Sequence, residues 1–574
     1  MRPQAAKPET VSQVEQSMSG AQMVVECFRK LGVDTVFGYP GGAILPLYDA
    51  LHESGIEHIL TRHEQAAIHA AEGYARATGK VGTVIATSGP GATNLVTGIA
   101  DACLDSVPVV ILTGQVATGM LGKDAFQEAD VIGITLPITK HNVQVRRAED
   151  LPRILHEAYH IASTGRPGPV LIDLPKDIST QRAEYREPGP ISLRGYQPNT
   201  EPNALQLERI RCAIAEAKRP LLYIGGGVIC AEAAGETLRL AETAGIPVVS
   251  TLMGLGAFPP DHPLYFGMLG MHGTYAANMA TYHCDLLIAL GVRFDDRVTG
   301  KLERFSPHSR KVHIDIDPAE IGKNLPIEFP MVADVKKALR TLLERCPEPD
   351  ASAWVEQVSA WHREYPLGYT QDLEGPLKPQ YVIDLLSRMT NGEALVTTEV
   401  GQHQMWAAHF YRARHPRSFI SSGGLGTMGF GFPAAMGVQI AKPEATVVCI
   451  AGDASFQMNI QELQTISERN LPVKVFVLNN GFLGMVRQWQ EMFYENRLSE
   501  SRIGSPDFVK VAEAYGVRGW RATTAQEAEE AMAQALAHPG PAVVDFQVAE
   551  GENVFPMVPP GKGNVDMLVR GWEE

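Results

Sequence analysis

Two short polar segments each follow an apolar run near the end of the chain. After residues 445–451 come Gly452, Asp453, Ala454 and Ser455, and after residues 473–478 come Asn479 and Asn480. Between Asp453 and that pair lie 25 residues, 454–478. An acid and an amide at the ends of two parallel strands, with the backbone carbonyl of Phe482 beyond them, can hold a hard divalent cation through oxygen. The pattern therefore predicts an Mg²⁺ site of Asp453, Asn480 and Phe482.

This spacing of an acid and an amide is typical of enzymes that use thiamine diphosphate, in which Mg²⁺ bridges the diphosphate and the protein. Two ordinary strand-end turns are the alternative, because Gly-Asp and Asn-Asn are common in loops. The apolar runs before both segments favour the cofactor site.

Glu64 stands in segment 62–66, which opens an alanine-rich stretch that predicts a helix. Thiamine catalysis needs a carboxyl group beside the aminopyrimidine ring, because this hydrogen bond favours the imino form that removes the thiazolium C2 proton. Glu64 is our candidate for that group. The alternative is a solvated glutamate in a first helical turn, stabilised by the helix dipole.

Several weaker signals follow other predicted strands. The glycine-rich turn at residues 87–94 leaves N–H groups free to face an anion or an aromatic ring, although a tight structural turn explains it as well. The Gly-Gly-Gly at 225–227 permits close approach of a nucleotide but lacks the full dinucleotide fingerprint. Acids and arginines at 291–297 and 313–318 suit ribose hydroxyls and phosphates, or form a surface ion-pair cluster.

The bulk composition limits the class of protein. A chain of 574 residues should form several domains, since single cores stop growing beyond roughly 250–300 residues. The net charge of −15 argues against nucleic acid or an anionic membrane as the main partner. The seven cysteines include no CxxC pair, and no apolar run approaches the roughly 18 residues of a membrane span. We therefore expect reduced thiols and a cytoplasmic protein.

Short apolar runs alternate with helical stretches along the chain, which predicts parallel α/β layers. The predicted strands are residues 83–87, 109–113, 170–174, 221–224, 247–251, 286–290, 312–316, 394–398, 446–450, 473–478 and 542–546. We predict a disordered tail over residues 1–18, α/β domains over 19–185, 203–345 and 375–550, and a C-terminal tail over 551–574.

From residue 18 to residue 561 the sequence resembles one family, the catalytic large subunit of biosynthetic acetolactate synthase. The landmarks are residues 39–43, 62–65, 124–128, 163–169, 271–273, 293–297, 399–406, 423–429, 484–490 and 556–561. Single motifs are shared across thiamine enzymes, but their combination is specific to this family.

The resemblance implies three doubly wound parallel-sheet domains of the thiamine diphosphate enzyme type, which bind the pyrimidine, FAD and the diphosphate in chain order. It also implies a site between two chains, with Glu64 of one facing Asp453 of the other. Met428 would force the V shape of the cofactor, and the Gly426 carbonyl would accept from its amino group. The residues implied for thiamine diphosphate and Mg²⁺ are Glu64, Pro90, Asn94, Val400, Gly401, Gln402, His403, Gly426, Met428, Gly452, Asp453, Ala454, Ser455, Asn480, Phe482, Gly484 and Met485.

By the same resemblance the chain binds FAD, in a structural role because forming acetolactate transfers no net electrons. The residues implied for FAD are Arg166, Gly225, Gly226, Gly227, Thr251, Leu252, Met253, Leu269, Gly270, Met271, His272, Gly291, Arg293, Asp295, Arg297, Asp315, Ile316, Asp334 and Val335.

The residues implied around the substrates, besides Glu64, are Gly42, Phe126, Gln127, Lys176, Met485 and Trp489. Lys176 is a point charge suited to a substrate carboxylate, or an exposed lysine at a strand end. Trp489 would narrow the acceptor pocket so that an ethyl-bearing ketoacid is favoured over pyruvate, although one methylene is worth only about 1–3 kcal/mol.

Two residues depart from the family pattern. Ala454 stands where many thiamine enzymes have glycine. Alanine differs from glycine here only in that its backbone does not readily adopt a positive φ. Ala117 stands where the family usually has proline, near the substrate channel, so inhibitor sensitivity cannot be carried over.

The sequence thus predicts a carboligase that decarboxylates pyruvate and joins the two-carbon unit to a second 2-ketoacid. Pyruvate as acceptor gives 2-acetolactate and 2-oxobutyrate gives 2-aceto-2-hydroxybutyrate, the first common step of branched-chain amino acid biosynthesis. The expected partners are a second copy or a tetramer and a small regulatory subunit, with no nucleic acid and no membrane. The alternatives are a flavin oxidase such as pyruvate oxidase, a flavin-free catabolic acetolactate synthase and a catalytically dead nucleotide-binding scaffold; Glu64 argues against a glyoxylate carboligase.

Overall fold

The structure, a computed structural model, describes residues 17–569 and contains three parallel sheets of six strands each. Successive residues of a strand, such as Val84 and Ile85, enter different apolar clusters, so helices cover both faces of the sheet. The predicted architecture of three parallel-sheet α/β domains is confirmed. Among residues 17–569, no helix is both long and apolar enough to cross a membrane.

The first domain has the sheet order β3-β2-β4-β5-β7-β6 when its elements are numbered as follows. The strands are β1 (Ser17–Ser19), β2 (Thr35–Tyr39), β3 (Glu57–Leu60), β4 (Gly82–Ala86), β5 (Val109–Gln115), β6 (His141–Gln144), β7 (Val170–Pro175) and β8 (Arg182–Glu184). The helices are α1 (Gly20–Lys30), α2 (Leu45–Leu51), α3 (Glu64–Thr78), α4 (Pro90–Thr93), α5 (Val96–Leu104), α6 (Val131–Thr135), α7 (Leu151–Ser163) and α8 (Lys176–Thr180).

Strand β1 corrects part of the predicted N-terminal tail. Ser17 and Met18 pair antiparallel with Glu184 and Ala183 of β8, so these two residues are ordered by the main-chain bonds of a small two-stranded sheet. Residues 1–16 of the predicted tail lie outside the described residues.

The second domain has the order β11-β10-β9-β12-β13-β14. Its strands are β9 (Pro220–Ile224), β10 (Val248–Ser250), β11 (Tyr265–Met268), β12 (Leu286–Leu290), β13 (Arg310–Asp315) and β14 (Phe329–Val332). Its helices are α9 (Ala204–Glu216), α10 (Gly226–Cys230), α11 (Ala234–Ala244), α12 (Tyr275–His283), α13 (Asp296–Thr299), α14 (Val335–Leu343) and α15 (Ser352–Glu364). Helix α15 lies in the stretch 346–374 left outside the predicted domains, and it packs here because Trp354 and Val358 share one buried face.

The third domain has the order β16-β15-β17-β18-β20-β19. Its strands are β15 (Leu395–Thr398), β16 (Phe419–Ser421), β17 (Val447–Gly452), β18 (Lys474–Asn479), β19 (Arg518–Ala522) and β20 (Ala542–Gln547). Its helices are α16 (Pro379–Met389), α17 (Gln402–Phe410), α18 (Gly431–Ala441), α19 (Asp453–Gln457), α20 (Leu463–Glu468), α21 (Gly484–Phe493), α22 (Phe508–Ala514) and α23 (Ala525–Ala537). Short 3₁₀ turns across the chain are Thr118–Met120, Leu136–Ile138, Ala148–Asp150, Leu252–Gly254, Leu302–Arg304, Ile460–Glu462 and Asn564–Asp566.

Helix α3 links the first and third domains. It begins after His63, whose Nδ1 accepts from the Gln65 N–H at 3.0 Å, and it ends at Gly79, whose φ of +77° allows the left-handed cap. Alanines and Gly73 form the face that packs on α18, where a methyl group added to Gly73 would stand 2.1 Å from the carbonyl oxygen of Ala434. The alanine-rich composition is therefore the condition for close helix packing.

The C-terminal tail, described up to residue 569, has no β-strand or α-helix but is tied to both later domains. The Val558 N–H donates to the Met271 carbonyl at 2.8 Å, and Gln488 of α21 donates from Nε2 to the Val554 carbonyl at 3.0 Å. His272 contacts the carbonyl of Pro556 through Nδ1 at 3.2 Å. These bonds make the tail a strap between the second and third domains.

Candidate active site

The predicted metal residues meet at one edge of the third sheet. Strands β17 and β18 are parallel neighbours, with Gly452 opposite Leu478, so the chain leaves both at the carboxyl edge. Asp453 follows β17 directly, and its Oδ2 accepts hydrogen bonds from the Gly481 N–H at 3.0 Å and the Ser505 hydroxyl at 2.8 Å. The structure thus joins the Asp453 turn to the loop that carries Asn480; Ser505 was not predicted.

Asp453 is buried, with only 1% of its surface exposed. Burial raises the pKa of its carboxyl group, and the bonds from Ser505 and Gly481 oppose that rise. Asn480 is buried beside it and accepts through Oδ1 from the Phe482 N–H at 3.1 Å. A carboxylate and an amide oxygen are the donors that Mg²⁺ prefers, and a cation would stabilise the charge that burial penalises. The donor set fits Mg²⁺, while the coordination itself stays a prediction.

Two buried side chains at the start of α17 carry polar atoms with no hydrogen-bond partner among the described residues. These atoms are Nε2 of His403 and Oε1 of Gln402. Burial lowers the pKa of His403 to about 3, so its imidazole is neutral near pH 7. A methyl group added to Gly452 would stand 2.8 Å from the His403 ring, and one added to Gly484 would stand 2.1 Å from Gln402 Oε1. Glycines and unpartnered polar atoms beside the Asp453 turn fit the binding of a diphosphate.

The segment that is predicted to lie under the cofactor precedes α18. Gly426 has a φ of +73°, and Met428 is half-buried. The backbone just after Met428 binds a buried acid, Glu399. The carboxylate of Glu399 accepts from the Gly429 N–H at 2.6 Å and from the Phe432 N–H at 3.0 Å. Burial raises the pKa of Glu399 to about 7, against the effect of these bonds. Sequence reasoning gave Glu399 no role, although an acid directly after the buried strand β15 was a usable signal.

Glu64 is the first residue of α3 and is 8% exposed. Asn94 donates from Nδ2 to Glu64 Oε2 at 2.9 Å, and a methyl group added to Gly91 would stand 3.2 Å from Oε1. The predicted turn that includes Pro90 and Asn94 therefore lies beside this carboxyl group. The hydrogen bond described for the side chain is within the first domain, so its approach to Asp453 of a second chain stays a prediction.

The predicted substrate residues fall into two groups on different domains. The first domain carries Gly42, Phe126, Gln127 and Lys176, and α21 carries Met485 and Trp489. Phe126 is 88% exposed. Gln127 has a φ of +60° and lies close to Gly89: a methyl group added to Gly89 would stand 2.8 Å from the carbonyl oxygen of Gln127. Among residues 17–569, no described hydrogen bond or ring contact joins the two groups. The shared substrate pocket therefore stays a prediction.

The predicted flavin glycines meet at the carboxyl edge of the second sheet. Gly225, Gly226 and Gly227 follow β9, and Gly291 follows the neighbouring β12. A methyl group added to Gly225 would stand 2.4 Å from the Gly291 carbonyl oxygen, so only glycine permits this backbone contact. This edge is where open parallel sheets bind nucleotides, which fits FAD. The other predicted flavin residues at the strand ends and turns of this edge are Thr251, Leu252, Met253, Leu269, Gly270, Arg293, Asp315 and Ile316.

Three predicted flavin residues also have structural partners. Asp295 caps α13, and Asp334 caps α14 just before Val335. Arg166 donates to Glu320 at 2.7 Å, in a pair that spans the first and second domains. These contacts engage part of each polar side chain, and their contacts with a flavin stay predictions.

A buried polar cluster between α3 and α5 was not predicted from the sequence. His69, Glu72 and Asp101 are fully buried and are the one set of three metal-ligating side chains found close together among residues 17–569. Burial raises the pKa of Glu72 and lowers that of His69 to about 4. His69 and Glu72 are three residues apart in a predicted helix, which would have indicated that their side chains lie close together. No local pattern indicates that Asp101 joins them.

The sequence matches three family models that together span most of the chain. They are described as the N-terminal TPP binding domain (residues 18–134), the central domain (207–342) and the C-terminal TPP binding domain (399–546) of thiamine pyrophosphate enzymes. Each model falls on one of the three parallel-sheet domains.

Three similar proteins cover nearly the whole chain. The acetolactate synthase large subunit of Parasynechococcus marenigrum is 53% identical over 96% of this chain and 91% of its own length. The acetolactate synthase of Mycobacterium bovis is 51% identical over 96% of this chain and 91% of its own. The acetolactate synthase large subunit of Haemophilus influenzae is 48% identical over 96% of this chain and 98% of its own.

Proposed function

Since the chain belongs to the acetolactate synthase large-subunit family of thiamine pyrophosphate enzymes, we propose that it is a carboligase. It decarboxylates pyruvate and joins the two-carbon unit to a second 2-ketoacid, giving 2-acetolactate or 2-aceto-2-hydroxybutyrate for valine, leucine and isoleucine. The observation that carries this proposal is the buried Asp453 carboxylate bonded to the loop of Asn480 at a parallel-sheet edge.

Thiamine diphosphate, Mg²⁺ and a structural FAD are the proposed cofactors. When bound, thiamine diphosphate supplies a nucleophilic carbon and an electron sink for decarboxylation. Asp453, Asn480 and the carbonyl of Phe482 would hold Mg²⁺, while His403 and Gln402 would contact the diphosphate. The glycines at residues 225–227 would let the flavin approach the second sheet.

Glu64 would hold a proton shared with the aminopyrimidine ring nitrogen. Its burial and the single amide donor from Asn94 leave Oε1 available for that bond. Lys176, exposed at the start of α8, would attract a substrate carboxylate. Met485 and Trp489, four residues apart on α21, share one helix face and would bound the acceptor pocket.

The proposed assembly rests on two groups of substrate residues that lie on different domains. We propose a homodimer or homotetramer in which Glu64, Phe126, Gln127 and Lys176 of one chain complete the Asp453 site of another. Relatives carry the name large subunit, which supports a small regulatory partner. All seven cysteines are free, in keeping with a cytoplasmic location.

The test is a product assay with pyruvate and 2-oxobutyrate, run with the absorption spectrum of the purified protein. We expect the protein to form both acetohydroxy acids and to require Mg²⁺ and thiamine diphosphate. We also expect the spectrum of an oxidised flavin, which should not change during the reaction. Stoichiometric O₂ consumption at an oxygen electrode would indicate a pyruvate oxidase instead. A colourless active protein would indicate a flavin-free synthase, and absence of CO₂ release would indicate an inactive scaffold.

A further inference from the structure

The segment Ser421–Met428, called the junction loop below, lies where all three domains meet. A methyl group added to Gly423 would stand 2.4 Å from Met253 Sδ, and one added to Gly424 would stand 3.1 Å from Arg293 Nη2. Met253 and Arg293 belong to the second domain, the loop to the third. From the first domain, three charged residues contact the loop: Arg76, Asp101 and Asp105.

Asp105, at the C-terminal end of α5, binds the first half of the junction loop. Its Oδ2 accepts from the Gly423 N–H at 2.9 Å and its Oδ1 accepts from the Gly424 N–H at 2.7 Å. Arg76 of α3 donates to Asp105 Oδ2 and to the Ser421 carbonyl, both at 2.6 Å. The carboxylate thus accepts two consecutive backbone N–H groups while an arginine holds it in place. Such charge-assisted bonds are about twice as strong as neutral ones.

Asp101, one turn earlier on α5, binds two residues of the loop that lie on either side of Gly423 and Gly424. Its Oδ1 accepts from the hydroxyl groups of Ser422 and Thr427, the latter at 2.9 Å. The Thr427 N–H donates in turn to Ser422 Oγ at 2.9 Å, which closes the loop. Asp101, Ser422 and Thr427 are all buried, so water does not compete for these bonds.

The charge of this cluster is partly compensated by its own side chains. Burial raises the pKa of Glu72, which favours a protonated carboxyl group beside Asp101, and His69 is neutral because burial lowers its pKa to about 4. Arg76, whose side chain is 12% exposed, pairs with Asp105. A cation at His69, Glu72 and Asp101 would face this guanidinium, so the geometry favours anchoring of the loop over metal binding.

We propose that Asp101 and Asp105 are positioning residues, which hold the junction loop in the shape that lets Gly426 and Met428 support the thiamine cofactor. This inference rests on the proposed function. Both acids act on the loop of their own chain, whereas Glu64 of the same domain is proposed to serve the partner's site. Each first domain therefore shapes one site and completes another.

The experiment compares the full chain with Asp105→Asn. The amide of asparagine turns one acceptor into a donor that faces a backbone N–H, so at least one of the two bonds to Gly423 and Gly424 is lost. In protein without added cofactor we expect hydrogen exchange of the 421–428 peptide to rise about tenfold. We also expect the Kd for thiamine diphosphate with Mg²⁺ to rise about tenfold while the KM for pyruvate stays unchanged. Asp49→Asn, an exposed acid of the same domain, is the matched control.

Unchanged exchange of the 421–428 peptide would overturn the anchoring. Faster exchange with unchanged cofactor affinity and turnover would overturn the positioning role. Both readouts remain valid if the wild-type protein binds thiamine diphosphate but makes no acetolactate, an outcome that would count against the proposed function alone. If Asp105→Asn does not fold, Ser422→Ala removes a donor to Asp101 and the acceptor of Thr427, and the same two measurements decide.

Discussion

Gly437 of α18 lies in backbone contact with Ala70 of α3: a methyl group added to Gly437 would stand 1.8 Å from the Ala70 carbonyl oxygen. The helix that begins with Glu64 is thereby fixed against the helix that follows the junction loop. Since both surfaces are backbone at this point, neither helix can relax by rotating a side chain.

Gly437→Ala should therefore destabilise the protein by about 1–3 kcal/mol, the usual cost of overpacking, or more. The measurement is the midpoint of thermal unfolding. Gly235→Ala is the control, because Gly235 is exposed on α11 and an added methyl group meets nothing within 4 Å. It should be neutral or stabilise by about 0.5–1 kcal/mol. Equal midpoints for the two variants would contradict the close packing.

Glu64→Gln should lower turnover of pyruvate by at least about 100-fold, because an amide cannot share a proton with the aminopyrimidine nitrogen. The Asn94 contact and the fold should survive, which flavin absorbance and circular dichroism would confirm. Glu53→Gln, at an exposed glutamate of the same domain, should leave turnover unchanged. Full activity of Glu64→Gln would remove the assigned role.

Trp489→Leu should lower the preference for 2-oxobutyrate over pyruvate by about tenfold, since a methylene contact with a rigid ring is worth about 1–3 kcal/mol. The ring is held edge-on against Phe493 at 5.7 Å between centroids, so its position is defined before substrate binds. The measurement is the ratio of the two products from an equimolar mixture. Trp520→Leu, on the edge strand β19, is the control, and an unchanged ratio at Trp489 would exclude it from the pocket.

His403 should make the cofactor-free protein less stable in acid. The pKa of His403 in the folded protein, about 3, is below the ordinary value of 6.5. The stability that the neutral imidazole contributes is therefore complete above pH 6.5 and is lost as the pH falls toward 3. Between about pH 7.5 and 5 the loss is about 2 kcal/mol. His403→Gln should lose less stability over that interval than the wild type, measured as the fall in unfolding midpoint, whereas exposed His52→Gln should match the wild type. Identical falls in all three would argue that His403 titrates normally.

Eleven of the twelve inner strands of the three sheets could be predicted from the sequence, and the edge strands could not. All eleven predicted strands occur, within two residues at each end, and β12 has the predicted bounds. Inner strands of a parallel sheet are buried on both faces and read as continuous apolar runs. The six edge strands, β3, β6, β11, β14, β16 and β19, were missed because most are short or mix buried and exposed residues. The inner strand β2 was missed as well, although four of its five residues are buried.

The sequence by itself determined that Asp453 and Asn480 lie at one sheet edge, since each follows a buried strand and the two strands are parallel neighbours. It also determined the family, through landmarks spread from residue 39 to residue 561. The anchoring of the junction loop was decided by tertiary structure alone. Asp101 and Thr427 are 326 residues apart, and their bond depends on the packing of α3 against α18, whose backbones approach closely at Gly73 and Gly437. Local residue patterns indicate which segments are buried and where the chain turns. They do not indicate which surfaces of two domains pack together.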